Sequence, residues 1–339
     1  MLATAAVTFG VAWWHPARVA VQTLLLLPAL FPSAPVDPLS LVTQTPMREE
    51  RSYPYAAGRV EANLFHASGS GQHGAIILLL GAGDLPRSDL AVHFAEALAR
   101  SGVVTLVPQS SGMLAERLTF DEVDAVRASV DLLRGLPDVD AERIGLVGLS
   151  ASGGLSIVAA GQSDLRDRVR FVNSFGSYAD ASSLLLDVLS RSIDVRGEIR
   201  AWEPQARTVE VVANALGDAG LNPTQRQAML GGMTRAQAQQ LLAAMPPSVA
   251  RTLAQVSPAT YLGQVHAHLY LMHDVDDSFI PFTESRDLVA RAPSGVIQRY
   301  TEFSIFAHVI PDRPVPWQTF LPDLWRLFWH VHAVLLEVL

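Results

Sequence analysis

The sequence contains neither cysteine nor lysine, and the two absences exclude several classes of chemistry. All 25 basic residues of the 339-residue chain are arginine. Without cysteine there can be no disulfide framework, no Cys-ligated zinc or iron–sulfur cluster and no cysteine nucleophile. Without lysine there can be no Schiff base, no Ser-Lys dyad and no lysine of a phosphate-binding loop. The redox compartment stays open, because no thiol reports on it.

Positive charge is also scarce. The formal net charge is -8 and the isoelectric point is about 5.7, and no arginine cluster is visible along the chain. Binding to a phosphate backbone needs a basic surface, so we do not expect nucleic acid as a partner. Hydrophobic residues make up 49% of the chain, which is enough for one large core with an appendage or for two small domains.

Residues 1–46 consist of an apolar start and a proline-rich linker. Two apolar runs, 1–14 and 19–31, flank the short stretch 15–18, and four prolines predict an extended linker at 32–46. Neither run reaches the roughly 20 residues of a spanning helix. Three interpretations stay open: a kinked or interfacial membrane anchor through residues 1–31, an atypical signal peptide, or a helix packed on the rest of the protein. The first implies a bacterial cell-envelope or membrane-associated location, and a cytoplasmic one is the alternative. We expect a chain without residues 1–46 to fold.

From about Met47 onward, strand and helix patterns alternate, which predicts a mostly parallel sheet with helices on both faces. Eight strands are predicted, at 48–54, 60–67, 75–80, 103–109, 143–149, 169–174, 268–273 and 296–303. Helices are predicted at 89–100 with Ser88 as N-cap, and at 120–134, 151–160 and 283–290. The first two strands have no helix between them, so we expect an antiparallel edge.

The alternation stops between residues 180 and 257, where the pattern becomes wholly helical. Asn222-Pro223 and Thr234 mark two helix starts, and Gly231-Gly232 marks a helix end. The sequence therefore predicts a helical cap at 180–257, inserted between the two parts of a core at 47–179 and 258–339.

The strongest motif is RIGLVGLSASGG at 143–154, an apolar strand that runs into a Gly/Ser turn and then into a helix. This context is typical of a nucleophile elbow, in which a serine sits on a sharp turn with its hydroxyl exposed. Small residues flank such a serine because larger side chains would clash. Gly148 and Ser150 fit the pattern G-x-S-x-G, whereas Ser152 stands in place of the final glycine. The motif predicts Ser150 as a nucleophile, with an ordinary β-turn-α junction as the alternative.

Two later stretches supply an acid and a histidine in the chain order that a Ser-acid-His triad needs on such a turn. The stretch LMHDVDDSFIP at 271–281 follows a predicted strand and contains Asp277. A loop after the last predicted strand carries His308, about 30 residues further on.

These stretches resemble the α/β-hydrolase superfamily, in particular its esterase and dienelactone-hydrolase-like branch, over about residues 48–335. The acid loop is similar to the family's His-Gly-x-x-Asp-x-x-Val-Pro, with Asp274 where the family has glycine. The resemblance implies an α/β-hydrolase fold with a mostly parallel sheet of about eight strands, helices on both faces and a helical cap. It implies that Ser150 attacks an acyl carbon, His308 transfers its proton and Asp277 orients the imidazole. Dienelactone hydrolases proper use cysteine, so Ser150 argues against that particular activity.

The resemblance also implies an oxyanion hole built from two backbone N–H groups. One would come from Ala151, and the other from Ala82 in the loop after the third strand. The family usually has His-Gly in that loop, and Leu80 replaces the histidine. Apolar cap residues could wall the pocket, so we expect the substrate to be a small-molecule carboxylic ester that is medium-sized and rather apolar. These residues are 184–186, 188, 189, 228–230, 241–245 and 253.

Several alternatives stay open. A serine peptidase or an acyltransferase would share the same three residues, and a non-catalytic binding protein could share the fold. A dinucleotide-binding enzyme fits less well, because Pro86 stands where its turn needs a third small residue. His266 and His268 could share a metal, but a solvated strand end is the simpler interpretation, and the terminal-helix residues His330 and His332 are expected to pack or face solvent. We expect no cofactor and no metal, and the oligomeric state is open.

Overall fold

The computed structural model of the protein describes residues 14–31, 34, 36–81, 88–218, 220–311 and 314–339. The strands of these residues are β1 (Arg48–Tyr55), β2 (Gly58–Phe65), β3 (His73–Leu79), β4 (Val104–Ser110), β5 (Val139–Leu149), β6 (Phe171–Phe175), β7 (Ser192–Val195), β8 (Glu198–Ala201), β9 (His268–Asp274) and β10 (Ile297–Phe303). The helices are α1 (His15–Leu26), α2 (Pro38–Val42), α3 (Asp89–Arg100), α4 (Ser111–Leu114), α5 (Glu122–Arg134), α6 (Ala151–Ala160), α7 (Ala181–Ser190), α8 (Ala206–Asp218), α9 (Pro223–Leu230), α10 (Arg235–Ala243), α11 (Pro247–Val256), α12 (Phe282–Arg291) and α13 (Trp317–Val338). Short 3-10 helices are found at Leu27–Leu30, Pro258–Thr260 and Leu262–Gln264.

Eight strands form one sheet in the order β1-β2-β4-β3-β5-β6-β9-β10. Strand β2 runs antiparallel to both of its neighbours, and the other neighbouring strands are parallel. The adjacent strands β5, β6, β9 and β10 therefore all end at one edge of the sheet, where open α/β sheets place their ligand sites. The predicted mostly parallel sheet is confirmed, and so is the antiparallel pairing near its start.

The central strands are buried on both faces, which is why they stand out in the sequence as short continuous apolar runs. In β5, for example, Ile144 and Leu146 are fully buried. Helices α5, α6 and α12 cover one face of the sheet, and α1, α3 and α13 cover the other. Helix α3 begins where predicted, with the Ser88 hydroxyl accepting a hydrogen bond from the Ala91 amide at 3.3 Å. The apolar run of β5 and the N-cap of α3, both visible in the sequence, therefore agree with the packing of the sheet and its helices.

Helix α1 packs on the core, which matches the third interpretation of the N-terminal region. Val19 and Leu26 are only 2% and 1% exposed and pack with α3 and α13. The 3-10 helix that follows buries Leu27 and Ala29. Residues 1–13 lie outside the described residues. Within the residues that the structure describes, no helix is both long and apolar enough to cross a membrane.

Residues 180–257, which we call the cap segment, contain helices α7 to α11. The prediction that this segment is wholly helical is wrong at β7 and β8, which pair as an antiparallel hairpin. The turn residues Arg196 and Gly197 have φ values of 58° and 87°, as a two-residue hairpin turn requires. The predicted helix starts at Pro223 and after Thr234 are confirmed, and Thr234 forms a capping box with Gln237.

Candidate active site

Ser150 lies at the sharp turn where β5 ends and α6 begins. Its φ of 58° is uncommon for a residue with a side chain and is the strained geometry of a nucleophile elbow. The Ser150 amide donates to the carbonyl of Phe175 at 2.8 Å, which fixes the turn to the end of β6. A Cβ on Gly148 would lie 2.6 Å from the Cα of Gly153. The close approach of strand and helix therefore explains the glycine two residues before Ser150.

Ser152, which replaces the last glycine of the motif, has a role of its own. Its hydroxyl donates to the carbonyl of Leu80 at 2.6 Å and so ties the elbow to the loop after β3. The predicted oxyanion residue Ala82 belongs to that loop and lies outside the described residues. Ala151 is the first residue of α6, so its N–H has no partner within the helix. Ala151 also borders the same cavity as Ser150.

The two other predicted residues meet across adjacent parallel strands. The Nδ1 atom of His308, on the loop after β10, lies 2.6 Å from Oδ2 of Asp277, on the loop after β9. The other carboxylate oxygen of Asp277 accepts the amides of Phe279 at 2.7 Å and Ile280 at 3.1 Å. These donors fix the carboxylate, which is 2% exposed, whereas the neighbouring Asp276 is exposed.

The Asp277 carboxylate is held in its ionised form. Burial raises its pKa, but hydrogen bonds from His273 and His308 lower it more strongly, and the pKa is about 2. The buried His273, which was not among the predicted site residues, places its Nε2 3.3 Å from Asp277 Oδ2 and 2.9 Å from the Ile280 carbonyl. An ionised carboxylate that accepts the Nδ1 hydrogen of His308 orients the ring and leaves Nε2 for a reacting hydroxyl.

Two further contacts set the position of the His308 ring. The ring of Phe279 stacks on it, with centroids 4.5 Å apart and planes 18° from parallel. On another side, a Cβ at Gly176 would lie 3.2 Å from His308 Nδ1. Gly176 also has a φ of +65°, so glycine satisfies both the turn and the close approach.

The cap segment is hydrogen-bonded directly to the acid loop. Three backbone carbonyls of the loop accept these bonds: the Asp277 carbonyl from Trp202 Nε1 at 2.9 Å, the Ser278 carbonyl from the Gln205 backbone N–H at 2.8 Å, and the Phe279 carbonyl from Thr208 Oγ1 at 2.9 Å. In addition, Gln205 Nε2 donates to the Ser278 hydroxyl at 3.0 Å. The hairpin and the start of α8 therefore hold the same short loop that supplies Asp277 and Phe279. No local sequence pattern indicated these contacts.

Ser150 and His308 both border one cavity of about 710 Å³. Its walls are mainly apolar and come from two sides. The cap segment supplies Leu184, Leu185, Val211, Val212, Ala215, Leu216 and Leu253, and the elements around the sheet supply Leu30, Phe94, Val147, Met272, Leu327 and Val331. Of the cap residues predicted as walls, Leu184, Leu185 and Leu253 line the cavity. Others, such as Leu189 and Met229, pack inside the cap segment, while the contribution of α8 was not predicted.

The other histidines singled out in the sequence have structural partners. His330 is buried between Asn173 Oδ1 at 2.8 Å and Thr301 Oγ1 at 2.9 Å, and burial lowers its pKa to about 3. Three more are paired as follows: His266 with Asp167 at 2.7 Å, His268 with Glu337 at 2.6 Å, and His332 with the Pro16 carbonyl at 3.2 Å. Over the described parts of the chain, no group of three potential metal-binding side chains occurs.

Comparison with known proteins bears on the fold. The BD-FAE family model matches residues 137–291, a range that includes Ser150 and Asp277. No curated protein matches the chain. Among solved structures, 2,6-dihydroxy-pseudo-oxynicotine hydrolase is similar with a TM-score of 0.54 and 16% identity, covering 85% of this chain and 68% of that one. Dienelactone hydrolase from Anabaena variabilis ATCC 29413 gives a TM-score of 0.51 at 14% identity, covering 87% of this chain and 100% of its own.

A peptidase also has a similar structure. The puromycin-hydrolyzing peptidase of Mycobacterium tuberculosis matches with a TM-score of 0.55 at 14% identity over 89% of this chain. This chain spans only 41% of that peptidase's length. Likeness at such identities shows the fold alone, and it confirms the α/β-hydrolase fold that the sequence predicts.

Proposed function

We propose that this chain, which has the α/β-hydrolase fold, is a serine hydrolase that cleaves a medium-sized, rather apolar carboxylic ester. One observation carries the proposal: His308 is hydrogen-bonded to the buried Asp277 at a cavity that Ser150 also borders. The fold by itself supports many functions, so the argument depends on the side chains at this site.

In the proposed reaction, Ser150 Oγ attacks the acyl carbon while His308 Nε2 takes its proton. The N–H groups of Ala151 and Ala82 stabilise the oxyanion. His308 then gives the proton to the leaving alcohol, and the acyl group stays on Ser150. Water, deprotonated by His308, attacks this acyl-enzyme and releases the carboxylic acid. Asp277 stays ionised and orients the imidazole throughout.

The cavity supports an uncharged substrate. Among its described lining residues, the permanently charged side chains are Glu116 and Arg207, and they form an ion pair with each other. A peptide with charged termini would find little complementary charge against these mostly apolar walls. An ester with apolar groups on either side of the carbonyl fits the two apolar walls better. Peptidase and acyltransferase chemistry, and binding without catalysis, are the alternatives that the experiments below separate.

A peripheral contact with a membrane through residues 1–31 is a second part of the proposal. Three large apolar side chains are exposed here. Trp14, the N-cap of α1, is 65% exposed, and Val21 and Leu24 within the helix are 46% and 59% exposed. Large apolar side chains in this position favour contact with a lipid surface.

Labelling with a fluorophosphonate tests the proposal, because this reagent reacts with an activated serine whatever the substrate. We expect the wild-type chain to be labelled, and Ser150→Ala to abolish labelling and lower ester turnover by a factor of about a million. Ser152→Ala is the matched control and should keep its label, since Ser152 bonds to Leu80. Ser152→Gly, which restores the usual motif, should also keep its activity.

Labelling that persists in Ser150→Ala but is lost in Ser152→Ala would move the nucleophile by two residues. A wild-type chain that is neither labelled nor active would refute the serine mechanism. Paired p-nitrophenyl esters and p-nitroanilides of the same acyl group compare ester with amide cleavage. Faster cleavage of the anilide would replace the esterase assignment by the peptidase one.

A further inference from the structure

Large apolar side chains are exposed along two neighbouring helices, α1 and α13. On α1 and its N-cap they are Trp14, Val21 and Leu24, and on α13 they are Trp317, Leu321, Trp325, Trp329 and Leu336. Trp14, Trp317 and Trp325 are each exposed by more than 60%. We call these eight residues the tryptophan face. Leaving so much apolar surface in water is unfavourable, and such a patch usually marks an interaction site.

The two helices lie side by side and run in opposite directions. Near one end, His332 Nε2 lies 3.2 Å from the carbonyl of Pro16. Near the other end, the rings of Phe31 and Phe320 are 5.6 Å apart. Both helices bury their inner sides in the same core clusters, so their outer sides point to the same side of the molecule. The tryptophan face is therefore one surface, and Trp325 and Trp329 lie within it, with their rings 5.5 Å apart.

The charges on this surface are positive although the whole chain is acidic. The exposed charged residues of α1 and α13 are Arg18 and Arg326. The acid next to them, Asp323, is buried, where it accepts the Ser304 amide at 2.7 Å and pairs with Arg326. Glu337 has a side chain only 10% exposed and is bonded to Arg170 and His268. Apart from the Asp323–Arg326 ion pair, Arg18 therefore leaves a positive charge on this surface of a chain whose net charge is -8.

We propose that the tryptophan face docks on a lipid bilayer that contains anionic headgroups. Tryptophan is suited to the boundary between headgroups and acyl chains because its ring is apolar and its indole N–H is polar. Arginine beside it matches anionic phosphates. The chain from residue 1 to 14 contains no charged residue and leads directly into the face at Trp14. A further stretch of apolar sequence directly before Trp14 favours a membrane over a folded partner.

The face also lies next to the proposed substrate cavity. Ala29 and Leu30, which follow α1, and Leu327 and Val331 on the inner side of α13 border the same cavity as Ser150. One layer of helices, roughly 10 Å thick, therefore separates the lipid side from the cavity. Resting on the proposed function, this arrangement indicates that the hydrolysed ester is membrane-dissolved and reaches the cavity from the bilayer.

Co-sedimentation of the full chain with vesicles tests the docking surface. One set of vesicles consists of phosphatidylcholine alone and the other of phosphatidylcholine mixed with phosphatidylglycerol. We expect binding to the mixed vesicles and weaker binding at high salt. The double variant Trp325→Ser and Trp329→Ser should bind at least about tenfold more weakly. The control Ile199→Ser changes a side chain that is 53% exposed on the β7–β8 hairpin and should bind as the wild type does.

Two more variants separate the contributions of charge and of the N-terminal segment. Arg18→Gln should reduce the preference for anionic vesicles without changing binding to phosphatidylcholine alone. Deletion of residues 1–13 should weaken binding. Stronger binding after this deletion would mean that the segment covers the face in the free protein, which would support docking by the face itself and refute a contribution from the segment.

The remaining outcomes are equally decisive. If the wild-type chain binds neither kind of vesicle, or if Ile199→Ser loses as much binding as the tryptophan variant, the membrane assignment is wrong. A wild-type dimer in light scattering that the tryptophan variant converts to a monomer, without vesicle binding, would assign the face to a second copy of the chain. Ser150→Ala should still bind vesicles, and the tryptophan variant should still hydrolyse a short soluble ester. Docking and hydrolysis can therefore fail separately.

Discussion

The carboxylate of Asp274 accepts the backbone N–H of Phe306 at 2.7 Å. Asp274 is the last residue of β9 and is fully buried, and Phe306 precedes His308 by two residues. The other oxygen of Asp274 accepts the Asp276 amide at 2.9 Å. One buried side chain therefore connects the loop that carries Asp277 to the loop that carries His308.

Replacing Asp274 should change the position of the His308 loop relative to the Asp277 loop. Asp274→Ala leaves the Phe306 and Asp276 amides without their acceptor, and a shift of about 1 Å in His308 can lower the rate about 100-fold. Asp274→Asn keeps one acceptor oxygen, so its kcat should lie between that of the wild type and that of Asp274→Ala. The measurement is ester hydrolysis together with the thermal midpoint of unfolding. A folded Asp274→Ala chain with the wild-type kcat would contradict the connection.

Asp277 and its neighbour Asp276 should respond very differently to the same change. Asp277→Asn leaves an amide beside His308 that favours the wrong imidazole tautomer, so kcat should fall by a factor of about ten thousand. Asp276 is exposed, and Asp276→Asn should retain nearly the wild-type rate. Steady-state kinetics of the two purified variants decide the matter, and the reverse result would move the acid by one residue.

The contribution of Glu284 to the stability of the protein should decrease as the pH rises from about 4.5 to 7. Burial raises the pKa of Glu284 to about 7, even though Ser183 and the Ala179 amide donate hydrogen bonds to it. The unfolded chain releases this proton near pH 4.5, so over this range the native state binds more protons and loses stability as they leave. A shift of this size corresponds to about 3 kcal/mol. Burial likewise raises the pKa of Glu122 to about 7.

Glu284→Gln removes the titration but keeps an oxygen for the Ala179 amide. We expect its free energy of unfolding, measured by urea titration at pH 5 and pH 8, to fall less between the two than that of the wild type. The exposed Glu142 provides the control Glu142→Gln, which should keep the wild-type difference. Equal differences for all three proteins would show that Glu284 does not titrate in this range.

Removal of residues 1–46 should unfold the protein, contrary to the expectation from the sequence. The buried residues Leu26, Leu27 and Ala29 would be lost from the core, and so would the backbone carbonyl of Thr43 that Arg100 holds at 3.1 Å. Losing several buried apolar side chains costs several kcal/mol. Removal of residues 1–13 alone should preserve the thermal midpoint. A soluble chain lacking 1–46 with an unchanged midpoint would show that these contacts are dispensable.

The elements of the sheet could be predicted because each has a local cause. Strands such as β5 are buried on both faces and bounded by turns, and α3 begins at the side chain of Ser88. Ser150 could be found through Gly148, which is there because strand and helix approach closely. Asp277 and His308 followed from chain order and resemblance. Their hydrogen bond, however, depends on β9 and β10 being neighbours in the sheet.

The remaining features depend on contacts between distant parts of the chain. Nothing near Ser152 indicates its bond to Leu80, and nothing near Trp202 indicates its bond to Asp277. The hairpin was missed because the residues of β8 are exposed and show no alternation of buried and exposed positions. The apolar run of α1 was ambiguous since a short run fits a buried helix and a membrane segment equally well. Its partner α13 lies at the opposite end of the sequence.

The bonds from Trp202, Gln205 and Thr208 to the acid loop limit how this protein can be recombined. A chimera that exchanges only residues 180–257 would leave the donor's cap facing a loop it cannot bond, and Phe279 would lose the support that keeps it stacked on His308. Moving residues 180–281 as one block transfers both the donors in the cap segment and the acceptors in the acid loop. The unit of exchange in this protein is therefore the cap together with β9 and the acid loop, so the cap's part of the cavity wall and Asp277 would be transferred together.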